Sequence, residues 1–245
     1  MTTIIKFIIG ALTILLITSC SFDINLGKIN GNGNVTTEDM NISEDFDEIK
    51  ASRGWEVFLE KGTENSVTVE ADENLIDVAK IYVENEKLVI SAEDNIGRAT
   101  SKMVFVTYTD APEEIKVSSG ASIKAEQTIK NKNISLDASS GGTLKVDITA
   151  KDVETDVSSG GVIRVSGTAD KVDASASSGG VAKISKLTSK NTYASASSGG
   201  VMSVYASNHL KAKASSGGTI NYYGNPETVD KPKKNYSGGV IRAKK

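Results

Sequence analysis

The amino-acid sequence predicts an all-β fold, a parallel β-solenoid with a right-handed β-helix as its expected form, and three observations carry that reading. A Ser-Ser-Gly-Gly block recurs at intervals of roughly twenty residues, a period typical of stacked repeats. Apolar side chains alternate with polar ones on both sides of each block, as strands with one buried face require. Abundant Ser, Thr, Val and Gly, with few aromatics and three prolines, give no run that reads as a long helix.

The first element is not part of the fold. Met1 to Lys6 carries one positive charge, and Phe7 to Ile17 follows as an uncharged apolar run. A membrane-spanning helix needs about 20 such residues, so residues 1–19 read as a signal peptide. The segment ends Ile17-Thr18-Ser19-Cys20, an aliphatic and a small residue ahead of the single cysteine, which resembles a lipoprotein signal peptidase site. Cys20 is therefore the expected lipidation site and residues 20–27 a tether. A lone cysteine excludes an intramolecular disulfide, although export leads to a compartment where disulfides persist. Several acyl chains hold a protein on a membrane where one alone would not.

Residues 28–114 lack the repeated block but still read as β, in broader and less regular coils. Trp55, Val57 and Leu59 alternate with Glu56, Phe58 and Glu60, and Val67 with Val69, and Leu88 with Ile90, do likewise. Asn30-Gly31, Asn32-Gly33 and Lys61-Gly62 punctuate these runs as turns. A short helix or turn fits Asn74 to Lys80. The alternation assigns Trp55 to the core rather than to a ligand.

Residues 115–245 form the regular stack. Ser-Ser-Gly stands at Ser118, Ser-Ser-Gly-Gly begins at Ser139, Ser158, Ser177, Ser197 and Ser215, and a degenerate block begins at Tyr236. One residue before the first serine stand Val117, Ala138, Val157, Ala176, Ala196 and Ala214; five after stand Ile123, Leu144, Ile163, Ala182, Met202, Ile220 and Ile241. Units stacked at about 4.8 Å would join these columns into one slim core. Continued alternation places the second serine and second glycine of each block inward, at a corner where only small groups fit. A glycine-rich phosphate cradle would need a helix after the glycines, whereas a strand follows every block.

The residues Gly31-Asn32-Gly33-Asn34-Val35, Phe46-Asp47-Glu48-Ile49-Lys50, Val57-Phe58-Leu59-Glu60-Lys61-Gly62 and Val67 to Leu75, with the serial Ser-Ser-Gly-Gly corners, resemble the head-GIN family of auto-transporter adhesins. The resemblance covers nearly all of the chain after Cys20. It implies an exported lipoprotein of the Gram-negative cell envelope, anchored to the outer membrane and either periplasmic or surface-exposed. The chain runs to Lys245 directly after its last coil, so no membrane barrel of its own is expected.

Chemistry is sparse. His209 is the only histidine, which leaves no histidine metal cluster or Ser-His-Asp triad to build. Asp137 and Asp156 share a column two before the serine, so stacking would set their carboxylates about 5 Å apart, a glycosidase-like separation that any solenoid produces automatically. Six after the serine stand Lys124, Lys145, Arg164 and Lys183, a cation in four consecutive coils. Such a ladder could track a linear polyanion, or serve as a solvated face whose like charges discourage lateral sheet pairing. The formal charge of -3 hides a gradient: residues 21–114 carry 21 acidic and 8 basic side chains, residues 201–245 carry 2 and 8. The expected function is a non-catalytic adhesion or binding module for a polysaccharide or envelope protein. No cofactor, metal or nucleic-acid partner is expected. The alternatives are a carbohydrate-active lyase or hydrolase on the same fold, and a purely structural envelope protein.

Overall fold

The structure, a computed structural model, describes residues 28–42, 44–232 and 238–245. The segment expected to be a signal peptide, the expected lipidation site Cys20 and the expected tether after it lie outside the described residues, as do Tyr236 and Ser237 of the last block. The architecture is a β-solenoid of about six turns, about 63% strand, and among the described residues it has one short helix, at Glu73–Ile76.

Each coil has two legs joined by a Ser-Ser-Gly-Gly corner. In the middle of the stack the second leg of one coil runs on into the first leg of the next, giving the long strands Thr143–Val157, Val162–Ala176 and Val181–Ala196. These pair in parallel, Leu144 beside Ile163 beside Ala182 and Thr155 beside Ala174 beside Ala194. Side chains alternate about the backbone, so the columns before and after each corner meet between the legs. Val117, Ala138, Val157, Ala176, Ala196 and Ala214 are at most 2% exposed, and Ile123, Leu144, Ile163, Ala182, Met202 and Ile220 at most 1%. Each large aliphatic side chain so buried contributes about 1.5–3 kcal/mol, and none could do so without the coils above and below.

The corner corrects one detail of the sequence reading. The second serine does not point inward: Ser140 is exposed with φ 47°, and Gly141 follows with φ 74°. Gly142 N–H donates to the Ser139 carbonyl at 2.8 Å. Two successive residues of positive φ closed by this bond make a type I′ turn, whose twist suits flanking strands. The turn interrupts the alternation, which is why counting inward positions through it fails. The second glycine is buried as expected. The turns also stack: Gly141 N–H donates to the Ser159 carbonyl of the next coil at 3.2 Å, and Gly160 to Ser178 at 3.3 Å.

A further corner lies at Ser52-Arg53-Gly54-Trp55, where Arg53 (φ 64°) and Gly54 (φ 93°) repeat the positive-φ pair. Ile49, Ala51, Val57 and Leu59 around it fill the same inward columns. Glu48–Ala51 pairs in parallel with Glu114–Val117, and Glu56–Lys61 with Ser122–Ala125, so the ladders cross residue 114 without a break. Trp55 is fully buried, and its indole N–H donates to the Ser91 carbonyl at 2.9 Å.

The N-terminal end changes strand direction. Ser66–Asp72 runs antiparallel between Val35–Met40 and Lys102–Tyr108, and Ala79–Glu84 runs antiparallel to Lys87–Ala92. Asp72 fastens this end. It is 0% exposed, and its carboxylate accepts the backbone N–H groups of Gly33 at 3.0 Å, Thr100 at 3.1 Å and Ser101 at 3.0 Å. A Cβ at Gly31 would fall 1.8 Å from that carboxylate, which explains the first glycine of the Gly-Asn-Gly run.

Candidate binding face

The column six after each corner serine faces outward on the second legs and forms one in-register ladder. Phe58 pairs beside Lys124, Lys124 beside Lys145, Lys145 beside Arg164 and Arg164 beside Lys183, followed by Ser203 and Asn221. Parallel pairing in register brings these four cations onto one face at strand spacing of about 4.8 Å. They are not equivalent. Lys124 is ion-paired with Glu126, and its ammonium lies 5.8 Å above the Phe58 ring, which itself stacks on Phe105 at 5.5 Å. Lys145, Arg164 and Lys183 are exposed and make no ion pair among the described residues. The nearest carboxylate on the strand of Lys145, that of Asp147, is occupied by the hydroxyls of Thr128 and Ser166, each at 2.7 Å. Three adjacent coils therefore present free positive charge on a stiff backbone.

The first legs carry carboxylates outward at Glu114, Asp137, Glu154, Asp156 and Asp173, interspersed with Lys116 and Lys171 and giving way to Lys211 and Lys213. Asp137 lies beside Asp156 as the spacing requires. Burial raises the Asp137 carboxyl above its ordinary range, the charge of Asp156 adds to this, and Lys116 opposes it. Asp156 accepts a hydrogen bond from the Ser175 hydroxyl at 2.6 Å. The next members of the column are Ser175 and Ser195. Among the described residues no three His, Cys, Asp or Glu side chains come together as a metal site. His209 is half-buried, bonded to the Thr228 hydroxyl at 2.7 Å and set edge-on to Tyr193 at 6.1 Å. That arrangement orders a cross-strand contact and supplies no partner for a nucleophile.

The sequence reading missed an aromatic feature on the same face as the cations. Eight after the corner serine the side chains again face outward, and this column reads Glu126, Asp147 and Ser166, is broken at Ser185 by a bulge that sets Ser166 beside Lys186, and resumes with Tyr205, Tyr223 and Lys244. Ser185, Tyr205, Tyr222, Tyr223, Asn225 and Lys244 line a groove of about 730 Å³ beside the C-terminal coils. Extending the column count by two positions would have found it.

Stacked coils with a serial Ser-Ser-Gly-Gly corner, a charged outer surface and no assembled catalytic cluster among the described residues define a repeat-built β-solenoid protein. The chain belongs to the family described as "Putative auto-transporter adhesin, head GIN domain", whose model matches residues 45–226. The fold is similar to that of a "putative adhesin" from Bacteroides fragilis, 16% identical over 88% of this chain and 99% of that one, with a TM-score of 0.76. It is also similar to a "putative adhesin" from Parabacteroides distasonis, 22% identical, covering 88% and 99% of the two chains, with a TM-score of 0.68. A "putative lipid binding protein" from the same species is 22% identical, covering 89% and 100%, with a TM-score of 0.65. No curated protein sequence matches the chain.

Proposed function

We propose that the protein is a lipid-anchored, non-catalytic adhesion module of the cell envelope that holds a linear acidic glycan along the ladder of Lys124, Lys145, Arg164 and Lys183. The observation that carries this reading is the row of three unpaired cations in adjacent, hydrogen-bonded coils. A rigid ladder costs little ordering entropy on binding, and charges repeated at strand spacing suit a polymer rather than a small ion. The family's adhesin description and the like-named solved structures support a binding role over a catalytic one. Attachment through acylated Cys20 would leave the solenoid displayed from its N-terminal end.

The test is binding of a polyuronate to the full-length protein in detergent. Changing Lys145, Arg164 and Lys183 together to Gln should abolish most of the binding and flatten its dependence on salt. Unchanged affinity, or turnover of the polymer that depends on Asp137 or Asp156, overturns the reading. For the anchor, Cys20→Ala should move the protein from the membrane fraction to the soluble fraction with its fold intact; retention after a high-salt wash counts against acylation.

A further inference from the structure

We propose that the groove of Tyr205 and Tyr223 is a saccharide-ring subsite that continues the cation ladder, so that the ligand is a pyranose polymer bearing carboxylate or sulfate groups. This inference rests on the ladder reading and adds the ring-selective end of the site.

The geometry points to it in three ways. Lys183 lies beside Ser203, and Tyr205 stands two residues further along that strand. One strand spacing and two residue rises put the backbones of Lys183 and Tyr205 roughly 8 Å apart, within a monosaccharide or two of each other. Tyr205 then lies beside Tyr223 in parallel register, so two phenolic rings occupy adjacent coils on the outer face. The backbone is also shaped around the first of these rings. Gly224 has φ 97°, and a Cβ there would fall 2.8 Å from Cζ of Tyr205 and 2.3 Å from the Ala206 carbonyl oxygen. Any other residue at 224 would push the Tyr205 ring out of its position.

The chemistry of the lining selects the ligand. Aromatic rings offer an apolar face with a polar hydroxyl at the tip, which suits the C–H face and hydroxyl rim of a pyranose. Lys244 and Lys245 on the wall supply charge for an acidic substituent, and the Asn225 amide can donate to or accept from a ring hydroxyl. The volume of about 730 Å³ lies within the range of sites that enclose a small organic ligand. A chain of bare phosphates would satisfy the lysines and leave the tyrosines without a partner.

The experiment compares polygalacturonate, inorganic polyphosphate and a single-stranded oligonucleotide on the full-length protein in detergent, for wild type, Tyr205→Ala with Tyr223→Ala, Tyr205→Phe with Tyr223→Phe, and Arg164→Gln with Lys183→Gln. The alanine pair should weaken polygalacturonate about tenfold while leaving polyphosphate within about twofold, and the phenylalanine pair should retain most of the saccharide affinity. The ladder pair should weaken both polymers. If the ladder pair weakens polygalacturonate and the alanine pair does not, the subsite is wrong while the ladder stands. If wild type binds neither acidic polymer, both readings fall. Tighter, tyrosine-dependent binding of the oligonucleotide would replace the saccharide with a nucleic acid and overturn the proposal. Thermal melts of each variant separate lost binding from lost folding.

Discussion

At the scale of single residues, the two glycines of a corner do different jobs, and substitution separates them. Gly179 has φ 73° with no atom within 4 Å of where a Cβ would sit. Gly180 has no such strain, but a Cβ would meet the Val157 carbonyl oxygen at 2.4 Å and carbon at 2.6 Å. Gly179→Ala should therefore cost only the left-handed backbone term of about 1–2 kcal/mol. Gly180→Ala must push two backbones apart, and should cost more than that, about 3 kcal/mol. Denaturant melts that rank the two in the other order would remove the close approach as the reason for the second glycine. Thr155 offers the opposite sign. It is 1% exposed in the inward column between Leu136 and Ala174, and its hydroxyl has no hydrogen-bond partner. Thr155→Val should stabilise the stack by about 1 kcal/mol, because it removes an unmade hydrogen bond at little change of shape. Equal or lower stability in the same melts would show that the hydroxyl is satisfied.

At the scale of elements, the N-terminal cap depends on a buried carboxylate. The N–H of Ser101 above all, then those of Gly33 and Thr100, hold the Asp72 carboxyl below its ordinary value of 3.8, against the opposing effect of burial. A depressed folded-state value contributes stability above the unfolded-state value, and that contribution is lost as pH falls through the folded one. Asp72→Asn should thus lower the melting temperature at pH of about 7, because an amide brings N–H groups toward donors. The gap between variant and wild type should narrow as pH falls below the ordinary value of 3.8 and through the depressed folded-state one, where the wild-type carboxyl takes up its proton. A gap that stays constant with pH would mean that Asp72 acts through packing alone. The same element explains why the chain begins its fold with Gly31 and Gly33: the carboxylate leaves no room for a side chain at the first and bonds the N–H of the second.

At the scale of the whole molecule, the cations of Lys124, Lys145, Arg164 and Lys183 form one ladder on the second legs, while both signs mix on the first legs, carboxylates leading in the middle coils and Lys211 and Lys213 in the later one. The sequence by itself determined the period, the inward columns, the Ser-Ser-Gly-Gly corner and the cation ladder, since all are local spacings repeated coil after coil. Asp137 beside Asp156 and Lys145 beside Arg164 followed from the same count. The outward turn of the second serine needed the backbone, because a type I′ turn breaks the two-residue alternation on which the count relies. The corner at Ser52 to Trp55 was hidden by Arg53 and Trp55 in place of serine and glycine, although its flanking columns fit. The antiparallel cap was illegible for a stronger reason: an alternating strand has the same apolar pattern in either direction, so only pairing with Lys102–Tyr108 and Lys87–Ala92 fixes which way Ser66–Asp72 and Ala79–Glu84 run. Tyr205, Tyr223 and Lys244 were within reach of the same count two positions on, but the groove beside them takes its wall from Asn225 and Val229, which the repeat does not place. Spacing along the chain decides what a repeat buries; which partners its edges and outer face acquire is decided by contacts between residues far apart in sequence.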